Sequence, residues 1–415
     1  MPTNPEDAPR SLPDRPNLRH LKDQAKDLFK AGGADSLTDA QFQIAGLYGF
    51  ASWPKLKAHV ESSEAIAQLK QAIDTNDIER VKALMVLNPE LHRAPLGYAK
   101  DGPLTWVAEC RIPWEPPSRE RLAIAKWMIE NGSDVHQGDD GPLGRAALNS
   151  ARIPMMEILV SYGANVNAVW RGSSPLIFSP CETLDPGSLQ WLLDKGADPN
   201  CGTPESWGGG NSAHPGTALD YVIGSYVREG ERLSSCIQIL LDAGGTTKYS
   251  NPSVLAILRG ALDELREQID SDPTLISRKF SELDFGTTGE RMLTLKGATL
   301  LHVAAEYGQD EAARLLLNRG ADVNARATLA DAGDDAVMGG QTAIFHAATQ
   351  FDDRGLRMAQ LLIERGANLS VRARLPGHYE RPGEVVECTP LGYALLFPGD
   401  EGETVRLLRE RGAPE

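Results

Sequence analysis

Residues 298–327 read ATLLHVAAEYGQDEAARLLLNRGADVNARA. The stretch parses as one complete unit: a turn, a short helix, a second helix and a glycine stop at Gly320. Leu316 and Leu317 recur on one side of the second helix, which leaves an apolar face. A unit of this size cannot bury that face alone, so neighbouring units must stack on it.

The same unit recurs along the chain. Segments beginning PLTWVAE, GPLGRAA, SSPLIFS, GTALDYV, QTAIFHAA and CTPLGYA close at Gly132, Gly163, Gly196, Gly244, Gly366 and Gly412. Two further pairs are degenerate: AIAQLKQAIDTNDIERVKALMVLNPEL from Ala65, and PSVLAILRGALDELREQIDSDPTL. With the founding unit this makes nine. Core positions should lie seven, four and three residues before each closing glycine. They read Ala125, Met128, Ile129; Met156, Leu159, Val160; Leu189, Leu192, Leu193; Ile237, Leu240, Leu241; Ala313, Leu316, Leu317; and Ala359, Leu362, Ile363. The last unit is expected to depart, with Leu407 and Leu408 one residue early and Arg409 and Arg411 facing a polar end.

Thr299, Leu301, His302, Ala304, Ala305, Gly308, Leu316, Leu317, Gly320, Ala321 and Asn324 fall in register with T-P-L-H-x-A-A, V-x-x-L-L and G-A-x-x-N. The unit therefore closely resembles the ankyrin repeat. The resemblance covers about 350 of the 415 residues. It implies an all-α solenoid of helix-turn-helix units, with β-hairpin fingers and a concave side that binds other proteins. It also implies that His302 hydrogen-bonds between turns.

Glycine spacing reports insertions. Gly132 to Gly163 and Gly163 to Gly196 are near the ordinary period, whereas Gly196–Gly244, Gly320–Gly366 and Gly366–Gly412 are longer by about 13 to 15 residues. Long fingers are expected at Cys201–Gly216, Thr328–Gly340 and Arg372–Glu387. A fourth insertion, Phe280–Gly297, alternates around Gly-Thr-Thr-Gly like a hairpin. Shorter insertions at 111–118 and 226–232 join the two helices of a unit. Loops this long usually have a use, and elongated fingers would deepen an open groove into a pocket.

The N-terminal end has a different organisation. Residues 1–16 are Pro-rich and polar and read as a loose tail. Residues 17–62 read as a helical module: an apolar stripe of Leu18, Leu21, Ala25 and Leu28, then a helix capped by Ser36 and stopped by Gly49, then a third opened by Ser52-Trp53-Pro54. YGFASWPKLKAHVE resembles a module that precedes ankyrin arrays in bacterial proteins, and reads as a cap on the first repeat. The array then occupies 63–415.

Composition narrows the function. Lys plus Arg is 42 and Asp plus Glu is 57, a net charge of -15, which argues against general nucleic-acid binding. No apolar run is long enough to span a membrane and no apolar signal region opens the chain, so a cytoplasmic location is expected. Five dispersed cysteines without C-x-x-C spacing suit free thiols. No metal, phosphate-loop or hydrolase motif stands out; Gly208-Gly209-Gly210 has no following Lys-Ser/Thr and reads as a finger tip. No cofactor is expected.

Aligned first helices suggest a binding stripe. The residue after the histidine slot is Trp106, Arg145, Phe178, Tyr221, Val303, His346 and Tyr393 in successive full repeats; one turn on lie Glu109, Cys181 and Glu306. The fingers add Trp170, Trp207, His214, His378 and Tyr379. Two readings stand side by side. The rings form a concave aromatic groove, or they pack under their own long fingers as a second core. Arg145 forks to an anionic ligand or pairs with a neighbouring acid. Glu109 and Glu306 serve as acid and base, or sit as solvated groove edges. The leading reading is a non-catalytic scaffold for a protein partner. The alternative is a sugar- or aromatic-metabolite binder, or an enzyme without a recognised motif.

Overall fold

The computed structural model describes residues 10–13, 16–109, 115–202, 216–225, 229–281, 283, 293–331, 337–378, 380–381, 383–397 and 402–415. The chain divides into two compact units, one of residues 1–146 with 154–164 and one of residues 147–153 with 165–415.

The first unit opens with three helices, α1 (Leu18–Lys30), α2 (Leu37–Leu47) and α3 (Trp53–Asp74). Each begins where a polar side chain takes up free backbone N–H groups: Asn17 Oδ1 accepts from Arg19 and His20, Ser36 from Asp39, and Ser52 from Lys55. Leu21, Ala25, Ala40, Ile44, Leu56 and Val60 form their shared core. The expected boundary at residue 62 falls inside α3, which runs on unbroken. Its second half pairs with α4 (Ile78–Leu87) as the first repeat. The same unit adds α5 (Pro103–Glu109) with α6 (Arg119–Glu130) and α7 (Gln137–Ala146) with α8 (Ile153–Ser161).

The second unit carries α9 (Phe178–Thr183) with α10 (Pro186–Asp194), α11 (Ala218–Gly224) with α12 (Gly230–Asp242), and α13 (Pro252–Arg259) with α14 (Leu262–Ser271). It continues with α15 (Leu300–Glu306) and α16 (Asp310–Asn318), α17 (Ala343–Ala348) and α18 (Leu356–Glu364), and α19 (Pro390–Ala394) and α20 (Glu403–Glu410). Among the described residues these are the nine helix pairs expected from the sequence. First helices stack on first helices, as in α5 on α7, α15 on α17 and α17 on α19. Second helices stack on second helices, as in α14 on α16 and α16 on α18.

The glycine register has a local cause. Gly320 takes φ 91°, a left-handed conformation open to glycine at little cost. That turn lets Ala321 N–H reach back to the Leu316 carbonyl at 2.9 Å and tie off the helix end. Ser133, Ala164, Ala197, Gly245, Ala367 and Ala413 make the same bond to Met128, Leu159, Leu192, Leu240, Leu362 and Leu408. In the six triplets the residues seven and four before the glycine are buried, and the third is half-buried. The last unit corrects an expectation. Val405 and Leu408 hold the seven and four positions and are buried, so it is not shifted; only the third position has turned polar, as exposed Arg409.

The two degenerate pairs close differently, and alike. Asn88 and Asp272 end α4 and α14 at φ, ψ of -131°, 80° and -134°, 86°. A proline then starts a 3-10 turn, at Pro89 and Pro273, that buries Leu91 and Leu275. Proline cannot extend the helix and fixes the turn. N-P-E-L and D-P-T-L thus replace the glycine stop.

Asparagine clips join successive repeats of the second unit. Asn324 donates Nδ2 to the Gly366 carbonyl at 3.1 Å and accepts the Asn368 N–H at 2.7 Å. Asn167 does the same with Gly196 and Asp198, and Asn200 with Gly244 and Thr246. The final N of G-A-x-x-N therefore satisfies backbone groups of the next unit.

Three antiparallel strand pairs project from the repeats: β1 (Val169–Trp170) with β2 (Ser174–Pro175), β3 (Ala330–Asp331) with β4 (Val337–Met338), and β5 (Ala373–Pro376) with β6 (Val385–Cys388). The last two lie where long fingers were expected, at Thr328–Gly340 and Arg372–Glu387. These fingers do not stand apart: Gly339 and Arg374 exchange backbone hydrogen bonds of 2.8 and 3.2 Å. The other expected fingers fall largely outside the described residues, at 203–215 and 284–292. The base of the latter closes by a bridge between Phe280 and Ala298.

Candidate functional site

The expected stripe lies at the joints between repeats. An acid near the end of one first helix reaches the stripe residue of the next. Asp74 Oδ1 accepts from Trp106 Nε1 at 2.7 Å. Glu109 Oε1 accepts from Arg145 at 3.2 Å. Glu306 Oε2 meets His346 Nδ1 at 2.7 Å. Where no acid is available rings meet instead, Phe178 on Tyr221 at 4.7 Å and Phe345 by Tyr393 at 6.4 Å.

This placement corrects the groove reading for most of the stripe. Trp106, Phe178, Val303, His346 and Tyr393 are buried, as are Cys181 and Glu306. They are enclosed because first helix packs on first helix, α5 on α7, α9 on α11, α15 on α17 and α17 on α19. Tyr393 spends its hydroxyl on the Pro376 carbonyl at 3.1 Å, and Trp106 carries Lys70 Nζ 4.2 Å above its ring. Among the described residues five predicted positions keep access to solvent: half-buried Tyr221, Trp170 and His378, and the Arg145–Glu109 pair, whose side chains are 29% and 15% exposed. Trp207, His214 and Tyr379 lie outside the described residues. His378 is half-buried and stacked on Phe397 at 6.0 Å.

Trp170 ends β1 and faces Ser174 across a loop of three residues, Arg171 to Ser173. Arg171 and Gly172 take φ 50° and 66°, and the Ser173 N–H returns to the Trp170 carbonyl at 3.1 Å. Arg171 lies 4.8 Å from the Trp170 ring centre, so a cation and an indole are presented together.

His302 has the structural role that the resemblance implies. Its ring bonds Thr299 Oγ1 at 2.8 Å and the Gln341 carbonyl of the next repeat at 3.1 Å. Complete burial, helped by neighbouring His346, pulls its pKa down to about 3, so it is neutral. Glu109 and Glu306 each meet a side chain of the following repeat, Arg145 and His346 respectively. Burial pushes the thiols of Cys236 and Cys388 up to about 12 and that of Cys181 well above its usual range, which makes them poor nucleophiles.

Chemistry at other places is sparse. Among the described residues no group of three His, Cys, Asp or Glu could hold a metal, and no helix is long and apolar enough to cross a membrane. An open depression of about 420 Å³ lies on the α13–α14 pair, lined by Asn251, Glu267, Gln268, Asp272 and Arg278 among others. It contains none of the predicted binding residues. Several apolar side chains held in water went unnoticed in the sequence, two of them on connections: Leu329, 58% exposed before β3, and Phe351, 76% exposed between α17 and α18. The only available signal was position, since both fall in connections rather than on the helical register.

Residues 254–373 match a family model described as ankyrin repeats (3 copies). Over 108 residues the chain is 30% identical to a putative ankyrin repeat protein of fowlpox virus. That alignment takes in 26% of this chain and spans only 17% of the viral protein. The crystal structure of the human ASB11 ankyrin repeat domain is similar over 66% of this chain and 99% of its own, at 21% identity and a TM-score of 0.30.

Proposed function

We propose that this chain, an ankyrin-repeat protein, is a non-catalytic recognition scaffold that takes a protein partner on its finger edge. The observation that carries this reading is the division of its apolar side chains. The stripe rings are spent inside the joints, while Trp170 with Arg171 and Leu329 stand on finger connections in contact with water. Tryptophan and arginine are enriched at protein interfaces, and an exposed leucine beside them adds apolar area to cover. Half-buried Tyr221 adds a ring on the sequence-predicted stripe of the same unit.

The test is capture by immobilised full-length chain from an extract of its source cells. A protein should be retained, and Trp170→Ala with Leu329→Ala should weaken retention by about tenfold or more while leaving the thermal midpoint unchanged. Retention unaffected by the double substitution, or a small molecule retained in place of any protein, would contradict the reading.

A further inference from the structure

The joint between α15 and α17 holds three titratable side chains away from water: His302 and Glu306 on α15 and His346 on α17. Glu306 and His346 are in contact at 2.7 Å with zero exposure. The His302 and His346 rings meet edge to face at 5.7 Å. Gln350 ties the two helices by donating to the Glu306 and His346 carbonyls at 2.9 and 3.0 Å. The corresponding Glu109–Arg145 joint is partly wet and holds no histidine, and the Phe178–Tyr221 joint is a ring contact.

We propose that this joint is an acid-triggered release point, at which α17–α20 come away from α15–α16 as the pH falls. Proton counting gives the reason. In the closed joint His302 is neutral, and the carboxylate and imidazole of the pair share one proton, since any other count would bury a net charge. In the open joint all three groups meet water and titrate near their ordinary values, about 6.5 for histidine and about 4.3 for glutamate. Between those two values the open joint binds two protons against one. Between the lower value and about 3, where His302 is protonated in the closed joint as well, it binds three against one. Opening is therefore favoured about tenfold per pH unit between about 6.5 and 4.3, and about a hundredfold per unit from there to about 3.

Charged and titratable groups on the packed elements set the background. α13 contributes Arg259, engaged with Glu264; α16 contributes Asp310 and Arg314; α18 contributes Arg357; α19 contributes Tyr393; and Lys279 acts on His302 from the preceding segment. Tyr307, beyond α15, donates its hydroxyl to the Ile223 carbonyl. Asp310 works against release, because burial raises its carboxyl pKa and acid favours its packed state. Asp353 accepts from Glu403 and Thr404 N–H at the start of α20, a contact that moves with the released segment.

Native-state hydrogen exchange on the full chain from pH 7 to 4 tests the proposal. Amides of α17 and α18 should open about tenfold more per unit as pH falls from about 6.5 to 4.3, while those of α11 and α12 do not. His302→Gln should remove that slope. Glu306→Gln with His346→Gln should keep it but abolish the steepening below about pH 4.3. Should the substituted chains not fold, the wild-type slopes still decide, together with an NMR titration of the imidazole C–H signals. Equal pH slopes in α11–α12 and α17–α18, no slope at all, or imidazoles that protonate without opening would each overturn it.

Discussion

Glu306–His346 and Glu109–Arg145 occupy the same places in the repeat register, yet the first pair is closed to water and the second is not. The register fixes which side chains meet across a joint. Solvent access fixes what the meeting is worth. Removing one member of a buried pair strands the other's charge, whereas a partly hydrated pair contributes little.

Breaking each pair should expose that difference. His346→Ala is expected to cost about 3–5 kcal/mol in urea unfolding, because Glu306 is left buried without it. A double-substitution cycle with Glu306→Ala should return a coupling of at least about 2 kcal/mol. A coupling near zero would mean that the 2.7 Å contact does not hold the joint. Acid should sharpen the contrast next. The folded pKa of His302 lies at about 3, below the ordinary histidine value, so its contribution is complete above about pH 6.5 and is lost as pH falls toward 3. Stability should drop by about 1.4 kcal/mol per pH unit in that window, and His302→Gln should flatten the drop. Identical pH profiles for the two chains would remove the role given to His302.

Smaller effects belong to the edges. Asn324→Ala removes two hydrogen bonds to the next repeat, and about 1–2 kcal/mol of stability should go with them. Lys248 stands where Gly244 calls for that asparagine and carries its Nζ 4.8 Å from the Tyr249 ring centre, so Lys248→Ala should cost about 0.5–1 kcal/mol by the same melt, less than Asn324→Ala. Smallest of all, Glu109→Ala should change stability by about 1 kcal/mol or less, and less again in high salt.

The helix pairs were legible in the sequence because glycine, proline and apolar spacing act locally. Gly320 needs only its own backbone to stop α16, so its position reports the unit without any knowledge of neighbours. N-P-E-L and D-P-T-L act just as locally, but their role as stops shows only in the turns at Pro89 and Pro273. The site was less legible because exposure is a tertiary property. Aligning Trp106, Phe178, His346 and Tyr393 found a real equivalence, but periodicity places residues on a helix face without saying what covers it. Those four rings are buried, at the joints between first helices. The acid three residues later was found too, at Glu109 and Glu306. That it reaches the next repeat's stripe residue depends on how far successive helices are offset, which no single repeat encodes.

Hydroxyl-radical footprinting of the intact chain near neutral pH tests the central claim most directly. Trp106, Phe178 and Tyr393 should be oxidised far more slowly than exposed Phe351, with half-buried Trp170 and Tyr221 between them. Oxidation of those three rings at the rate of Phe351 would return them to an open groove and contradict the account.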